Sequence, residues 1–265
     1  MQKDCSVSEN GIFARSRDLL GDEGLKRLRS SFVVIIGQGG VGSHAAIACA
    51  RSGVGRLRLV DVDLITESSL NRHAVATAAD VGRSKSEVMA KYIAAVCPET
   101  KVEISSEFFH ENTAASLLSG SPDYVIDAID SLTPKVALLR YCVENEIPVV
   151  ASMGASGRTD PSKLEIADIK DTRMCPLARV VRRRLKRQNV FGGIDCVYST
   201  EEASVTFPPE EDDDNHFWQG RKRNRLPSLA IMPGIFGYAC AGQVIEKISC
   251  YSREKRIEEI AAGKD

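Results

Sequence analysis

The stretch FVVIIGQGGVG, residues 32–42, decides the fold of this chain. Its first five residues are apolar and mostly β-branched, and the run is too short for a helix, so it predicts a buried strand. The glycine-rich turn follows at once, and a small-residue helix pattern extends from Ser43 to Arg51. Gly53 and Gly55 predict the end of that helix.

A second β-rich run, residues 57–60, ends in Asp61-Val62-Asp63. Strand, glycine turn, helix, strand and acid in this order are typical of a βαβ unit that binds a nucleotide. The helix N-terminus supplies free N–H groups for phosphates, and Asp61 is placed to bond ribose hydroxyls. The candidate nucleotide-binding glycines are Gly37, Gly39, Gly40 and Gly42. NAD, FAD and ATP all bind such units, so this pattern leaves the nucleotide open.

The composition suits one large or two small globular domains, because the 265 residues are 43% hydrophobic and 27% charged. The formal net charge of −1 excludes a global basic field. A polyanionic partner would therefore need a local basic patch.

Eight cysteines are scattered along the chain without a C-x-x-C pair, which is typical of a reducing compartment. The first eleven residues contain no apolar signal segment. The longest apolar stretch, residues 229–248, is interrupted by charged residues, so we expect no membrane span. We predict a soluble, cytoplasmic protein, and the sequence leaves association with mitochondria open.

The alternation of strand and helix patterns up to about residue 155 predicts an α/β fold with a Rossmann-like, doubly wound, mostly parallel sheet. Helices are expected over residues 12–29, 84–96 and 133–146, with strands over 102–104, 124–127 and 147–151. The predicted division places an ATP-binding domain at 12–157, a smaller C-terminal α+β part on the same sheet at 158–250, and a charged, frayed tail at 251–265.

The predicted C-terminal part contains strands over 164–169 and 196–207 and helices over 176–188 and 233–249. Residues 208–227 contain an acidic run followed by a basic one, which predicts a mobile loop.

Polar residues that suit a triphosphate follow the predicted strands. Asn71, Arg72 and Lys85 are of the type that holds phosphates. Asp127 and Asp130 follow a later strand, and the polar candidates for nucleotide binding are Asp61, Asp63, Asn71 and Asp127. A carboxylate facing a triphosphate needs a bridging cation, so Asp130 predicts a Mg²⁺ site. This set favours displacement at a phosphoryl group over hydride transfer from NAD.

The helix over 176–188 combines an apolar stripe with a dense basic surface. Six cations in nine residues form a concentrated field in a chain of net charge −1, which predicts contact with a phosphate backbone rather than base-specific reading. The candidate residues for this contact, which the family resemblance given next makes candidate tRNA-binding residues, are Arg179, Arg182, Arg183, Arg184, Lys186 and Arg187.

These residues together resemble the ubiquitin-activating-like adenylyltransferases of the ThiF/MoeB superfamily. Within that superfamily the chain looks most like the eukaryotic branch of the tRNA threonylcarbamoyladenosine dehydratases, over about residues 13–248. The motifs that carry the likeness are residues 37–42, 60–63, 68–73, Lys85, 127–130, 152–156, 160–164, 176–183 and 232–237.

The resemblance implies ATP-dependent dehydration of N6-threonylcarbamoyladenosine at position 37 of tRNA, through a carboxyl-adenylate. It implies that Asp61 holds the ribose, that Arg72 and Lys85 hold phosphates, and that Asp130 binds Mg²⁺. It also implies a homodimer in which Arg15 reaches into the ATP site of the partner subunit.

The chain departs from the family pattern in two respects. Ser69 and His73 stand where members commonly have asparagine and glutamine, and the C-x-x-C zinc site of sulfur-carrier-activating relatives is absent. Cys196 matches a bacterial stretch, but we interpret it as a core cysteine. The alternatives are an activator of a ubiquitin-like or sulfur-carrier protein, an NAD-dependent oxidoreductase and a non-catalytic nucleotide-sensing scaffold.

Overall fold

The computed structural model of the chain describes residues 9–203 and 227–261. The loop predicted over 208–227 lies outside the described residues, except for Pro227. The strands are β1 (Phe32–Ile36), β2 (Arg56–Val60), β3 (Lys101–Ser105), β4 (Tyr124–Asp127), β5 (Val149–Ser152), β6 (Leu164–Asp168) and β7 (Asp195–Ser199).

These strands form a seven-stranded sheet in the order β3-β2-β1-β4-β5-β7-β6. Every neighbouring pair is parallel except β6 with β7. The order reverses between β1 and β4, and open α/β sheets bind ligands at such a switch point, beyond the carboxyl ends of the strands. The predicted Rossmann-like, mostly parallel sheet is confirmed. Strands from both predicted domains belong to it, and the boundary at residue 157 stays a prediction.

Helices cover both faces of the sheet. They are α1 (Glu9–Ile12), α2 (Ala14–Ser30), α3 (Gly40–Ser52), α4 (Lys85–Val96), α5 (Glu111–Leu117), α6 (Leu132–Glu144), α7 (Pro176–Lys186), α8 (Ile231–Ser249) and α9 (Arg253–Ala261). Helices α3 and α8 contribute to one buried cluster, and α6 and α7 contribute to the other. Among the described residues, no helix is both long enough and apolar enough to cross a membrane.

Strand β1 shows why the decisive stretch is apolar throughout. Val33 and Ile35 pack into the cluster beside α3 and α8, whereas Phe32, Val34 and Ile36 pack into the opposite cluster. All five side chains are buried. A central parallel strand covered on both faces needs such a continuous hydrophobic run.

Several predicted elements differ from the observed ones. The helix predicted over 12–29 corresponds to α2, which begins at Ala14 and is kinked at Gly21, whose φ of +72° is accessible to glycine at little cost. Helix α5 was not predicted. The strand predicted over 196–207 ends at Ser199, and its second half lies partly outside the described residues.

The expectation of a frayed tail after residue 250 was wrong for most of that segment. Helix α9 forms there, and the Nε atom of Arg256 donates a hydrogen bond of 3.0 Å to the carbonyl oxygen of Asp18 in α2. This contact with α2 shows that α9 is held by tertiary packing, which local charge patterns do not report.

Candidate active site at the carboxyl ends of β1, β2 and β4

The glycine turn between β1 and α3 requires glycine at two of its positions. Gly37 has a φ of +94°, and a Cβ added there would lie 2.7 Å from the carbonyl oxygen of Ala128. A Cβ on Gly42 would lie 1.7 Å from the carbonyl oxygen of Gly37. By contrast, a Cβ on Gly39 would meet nothing within 4 Å. The turn is therefore closed on the sheet side and open at Gly39.

Helix α3 begins at Gly40, with Gly39 at the N-cap and without a side-chain hydrogen bond to its first N–H groups. Those groups are available to an anion, and the helix dipole favours negative charge there. The Ser43 hydroxyl donates to the Gly39 carbonyl over 2.7 Å and accepts a bond of 3.1 Å from the Ala74 N–H. It thereby fixes the segment after Arg72 beside the turn.

Asp61 organises the backbone at the end of β2. Its Oδ2 atom accepts a 2.5 Å bond from the Gln38 N–H, and its Oδ1 atom accepts a 2.7 Å bond from the Asp63 N–H. Burial raises the pKa of the Asp61 carboxyl, and the charge of Lys85 opposes that rise. Asp61 thus lies beside the glycine turn, as the predicted ribose ligand requires, although its role stays a prediction.

Lys85, at the start of α4, lies beside Asp61 and Asp63. Its Nζ atom lies 2.7 Å from Asp63 Oδ2, and its backbone N–H donates to the Asp63 carbonyl over 3.2 Å. Ser84 caps α4 by accepting a bond from the Glu87 N–H. Two predicted site residues, Asp63 and Lys85, are therefore brought together as an ion pair.

Arg72 lies across the glycine turn. A Cβ on Gly40 would lie 3.1 Å from Arg72 Cγ, so the arginine stem covers that glycine. The guanidinium donates to the Ser68 carbonyl over 2.6 Å and to Asn71 Oδ1 over 3.1 Å. The Asn71 amide donates to the carbonyl of Ser228, just before α8. Arg72 and Asn71 are thus both at the mouth of the turn.

The prediction for Asp127 needs correction. It was predicted to bind the nucleotide, but it is completely buried. Its Oδ2 atom accepts a 2.6 Å bond from Lys135 Nζ, and Oδ1 accepts a 3.0 Å bond from the Ile129 N–H. Burial raises the pKa of Asp127, and the Lys135 charge opposes this rise. We interpret Asp127 as an internal residue at the switch point, without surface for a nucleotide.

Asp130 follows on the same turn and is exposed. The Ser131 hydroxyl donates to its Oδ1 atom over 3.2 Å. No group of three or more histidine, cysteine, aspartate or glutamate side chains within residues 9–203 and 227–261 could hold a metal ion. A Mg²⁺ ion needs no such cage, because it commonly binds one or two carboxylates together with nucleotide phosphates, and Asp130 fits that arrangement.

The sequence did not indicate that two polar residues near the site are buried. His73 was noted only as a departure from the family pattern, but it is buried next to Arg72, and burial lowers its pKa to about 4. Its Nδ1 atom accepts bonds from the N–H groups of Val75 and Ala76, so the neutral ring carries its proton on Nε2. Lys135 was also missed, because a lysine in the first turn of a helix resembles any solvated lysine.

Arg15 lies exposed in the first turn of α2. Its predicted role concerns a second copy of the chain and stays a prediction. Cys196, which the sequence indicated as a core cysteine, is fully buried, and burial raises its pKa strongly. Burial of this kind leaves the thiol unreactive.

Helix α7 presents most of its predicted RNA-binding cations to solvent. Ala178, Val181 and Leu185 are buried beneath them. The exposed cations are Arg179, Arg183, Arg184, Lys186 and Arg187. Arg182 differs, because its Nη1 atom donates to the Thr172 carbonyl over 2.8 Å and to the Ile169 carbonyl over 3.2 Å. Arg182 therefore uses part of its guanidinium within the fold, and its contact with RNA stays a prediction.

A cavity of about 630 Å³ lies at the opposite, amino end of the strands. It contains none of the predicted nucleotide-binding residues. Its carboxylates are already used internally, since Asp123 accepts the Phe32 N–H and Asp168 accepts the Gly193 N–H. We therefore place the candidate site at the switch point.

Comparison with known proteins identifies the family of the chain. The model of the ThiF family matches residues 13–262. A tRNA threonylcarbamoyladenosine dehydratase from Bacillus subtilis is 35% identical over 93% of this chain and 98% of its own. The Escherichia coli protein of the same name is 40% identical over 75% of this chain and 76% of its own. The chain covers 55% of tRNA threonylcarbamoyladenosine dehydratase 2 from Saccharomyces cerevisiae, at 34% identity.

Solved structures of a tRNA N6-threonylcarbamoyladenosine dehydratase are also similar to this chain. Escherichia coli TcdA, a tRNA N6-threonylcarbamoyladenosine dehydratase, in complex with ATP matches with a TM-score of 0.80 and 31% identity, over 92% of this chain and 97% of that one. The complex of TcdA with AMP matches with the same TM-score. The glycine turn and the acids at the switch point agree with these comparisons. The family model and the similar relatives show that the chain belongs to the ThiF family.

Proposed function

We propose that this protein is an ATP-dependent tRNA threonylcarbamoyladenosine dehydratase. The observation that carries the proposal is the convergence of Asp61 and Arg72 on one glycine turn, with Lys85 paired to Asp63 beside Asp61, at the switch point of a ThiF-family sheet. Relatives that share most of the chain carry this activity in their names, and one of them binds ATP and AMP.

The chemistry suits such a site. The threonyl carboxylate of the modified adenosine attacks the α-phosphate of ATP and releases pyrophosphate. A nucleophilic atom of the same substituent then attacks the activated carbonyl, a ring closes, and AMP leaves with the carboxylate oxygen. The net change in the RNA is the loss of one water. Because the second step is intramolecular, proximity supplies much of its rate, and no protein nucleophile is required.

Each residue of the site has a role in this proposal. Asp61 holds the ribose hydroxyls, and the N–H groups at the start of α3 bind phosphate oxygens. Arg72 and Lys85 neutralise the triphosphate, and the Asn71 amide donates a hydrogen bond to it. Asp130 would hold a Mg²⁺ ion, which supplies charge neutralisation between the phosphates when it is bound. These arrangements act where negative charge develops in the transition state.

The exposed face of α7 is the proposed contact with the tRNA backbone. Five cations there project from a helix whose apolar side is buried. Such a surface binds phosphates without reading bases. We further propose a homodimer in which Arg15 of one subunit completes the ATP site of the other.

The proposed setting is a reducing compartment such as the cytoplasm. The cysteines at 49, 97, 142, 175, 196, 240 and 250 are free thiols, which fits that environment. Association with mitochondria is a separate hypothesis that a fractionation experiment decides.

Mass spectrometry of tRNA tests the proposed reaction. After incubation of threonylcarbamoyladenosine-containing tRNA with the protein and ATP, the modified nucleoside should lose the mass of one water and AMP should appear in equal amount. Unmodified tRNA is the control. Pyrophosphate exchange that depends on a carrier protein ending in Gly-Gly, and not on modified tRNA, would contradict the proposal.

A further inference from the structure

Lys135 is a cation in the interior of the protein. Its side chain and that of Asp127 are both completely buried, and its Nζ atom lies 2.6 Å from Asp127 Oδ2. Nζ also donates a 2.9 Å bond to the carbonyl oxygen of Ser152. Lys135 lies in the first turn of α6, so one amino group joins this helix to the carboxyl ends of β4 and β5.

A buried ion pair of this kind contributes little to net stability. The attraction between the two charges roughly offsets the cost of removing them from water, and apolar side chains of similar volume often pack as well. The surroundings are apolar enough that burial raises the pKa of the Cys142 thiol to about 12, with a further contribution from the Asp127 charge. The pair therefore calls for an explanation other than stability.

The pair lies directly behind the turn that carries Asp130. Asp127 Oδ1 accepts the Ile129 N–H over 3.0 Å, and the Ala128 N–H donates to the Ile36 carbonyl over 2.9 Å. The Ala128 carbonyl packs against Gly37 so closely that a Cβ there would lie 2.7 Å from it. The orientation of Asp127 thus determines how residues 128–130 pass the first glycine of the nucleotide-binding turn.

Ser152 is the second point that Lys135 holds. Strand β5 ends there, and the loop over residues 153–158 leaves the sheet at the same edge as Asp130. Arg158 is buried and donates to the carbonyls of Gly154 and Ser156, so the loop is fixed at its far end as well. Lys135 fixes its near end.

We propose that Lys135 is a positioning residue for the adenylation site. It holds Asp127 and the Ser152 carbonyl so that Asp130 and the loop over 153–158 keep a fixed position relative to the glycine turn. This inference rests on the proposed function, because it takes Asp130 as the residue that acts at the nucleotide.

The test uses the full chain with the double substitution Lys135→Met/Asp127→Asn. This variant removes both buried charges and keeps an acceptor for the Ile129 N–H. We expect its thermal midpoint to stay near that of the wild type, and its kcat for AMP formation with modified tRNA to fall about 10²-fold, since small misplacements have such effects. At saturating Mg²⁺ the KM for ATP should change less than about threefold, because Asp61, Arg72 and Lys85 are unchanged.

Two further variants separate positioning from packing. Lys135→Arg keeps a buried cation beside Asp127, and its kcat should exceed that of the double variant at least about tenfold. Val136→Ala removes buried volume from the same turn of α6 without touching the pair, and it should lower the thermal midpoint while leaving kcat within about twofold of wild type.

A normal kcat in the double variant would overturn the inference. So would a double variant that does not fold, because the pair would then serve stability. A wild type that forms no AMP with modified tRNA would refute the proposed function instead. In that case, calorimetry of ATP binding at several Mg²⁺ concentrations tests the inference. If the double variant needs more Mg²⁺ than the wild type to bind ATP, the inference is supported. If both need the same Mg²⁺ concentration, the inference is contradicted.

Discussion

Lys85 and Asp63 form an ion pair with 2.7 Å between Nζ and Oδ2. The lysine side chain is 12% exposed and the carboxylate 53% exposed, so a mostly buried cation is held by an acid at the surface. A triphosphate in the proposed site shares Lys85 with Asp63. The carboxylate therefore places the cation before ATP arrives, and it becomes repulsive once the cation is removed.

Lys85→Ala should reduce turnover on the order of 10²-fold and should also weaken ATP binding, because Asp63 is left facing the phosphates. The double substitution Lys85→Ala/Asp63→Asn should bind ATP more tightly than Lys85→Ala alone, by about fivefold, since the repulsion is gone. Isothermal titration with ATP measures both variants. Equal affinities in the single and double variants would contradict the pairing as a feature of the binding site.

Arg72→Ala should reduce AMP formation on the order of 10²-fold while the fold is retained, because the guanidinium is partly exposed and its stem only covers Gly40. Arg83→Ala is the matched control. Arg83 is a nearby arginine whose ion pair with Asp80 lies outside the proposed site, and its removal should change turnover less than about twofold. Near-normal turnover in Arg72→Ala would refute its assigned role.

Gly39→Ala should leave the thermal midpoint unchanged and weaken ATP binding at least about tenfold. A Cβ at this position meets no protein atom within 4 Å but projects where phosphates approach the start of α3. Gly242→Ala in α8 is the control, because its Cβ also meets nothing and alanine favours a helix. It should stabilise slightly and leave ATP binding unchanged. Equal ATP affinities for the two variants would argue against a phosphate site at Gly39.

Charge reversal on α7 should affect RNA and not ATP. Arg183→Glu/Arg187→Glu, both exposed, should weaken tRNA binding and reduce the slope of log Kd against log salt by about 0.7–0.9 for each phosphate that the helix no longer neutralises. Lys91→Glu/Lys101→Glu changes net charge equally at exposed positions of α4 and the edge strand β3, and it should leave the slope unchanged. Filter-binding titrations at several salt concentrations measure the slope for both variants. Identical slopes would show that α7 is an ordinary solvated helix that does not contact the tRNA.

His73 should make the protein less stable in mild acid. Its pKa in the folded protein, about 4, lies below the value of 6.5 for an exposed histidine. Between pH 6.5 and about pH 4, the unfolded chain therefore binds a proton at His73 and the folded chain does not. The free energy of unfolding should therefore fall as the pH decreases from about 6.5 to about 4, by on the order of 3 kcal/mol in all. Below that window this contribution changes no further.

His73→Gln removes the titrating group, so the loss of stability across this window should be smaller in the variant. Urea unfolding at intervals of half a pH unit provides the comparison, and subtracting the two curves cancels the carboxylates common to both. Parallel curves would show that His73 is accessible to protons in the folded state.

Local patterns predicted the elements whose spacing along the chain is diagnostic. The strand of residues 32–36, the turn with its obligatory Gly37 and Gly42, and Asp61 at the end of β2 were all placed correctly. The kink at Gly21 and helix α9 were not, because the first depends on one glycine's φ and the second on packing against α2.

The sequence by itself determined the βαβ unit, the sheet class and the basic character of α7, because each follows from residue periodicity and spacing. Only the tertiary structure decided that Lys135 is buried between Asp127 and Ser152, and that Arg182 donates to backbone carbonyls while its neighbours on α7 face solvent. The physical reason is that a charged side chain has the same local pattern in water and in the interior. Its partner is set by which strand ends the fold brings together, and that information is not local.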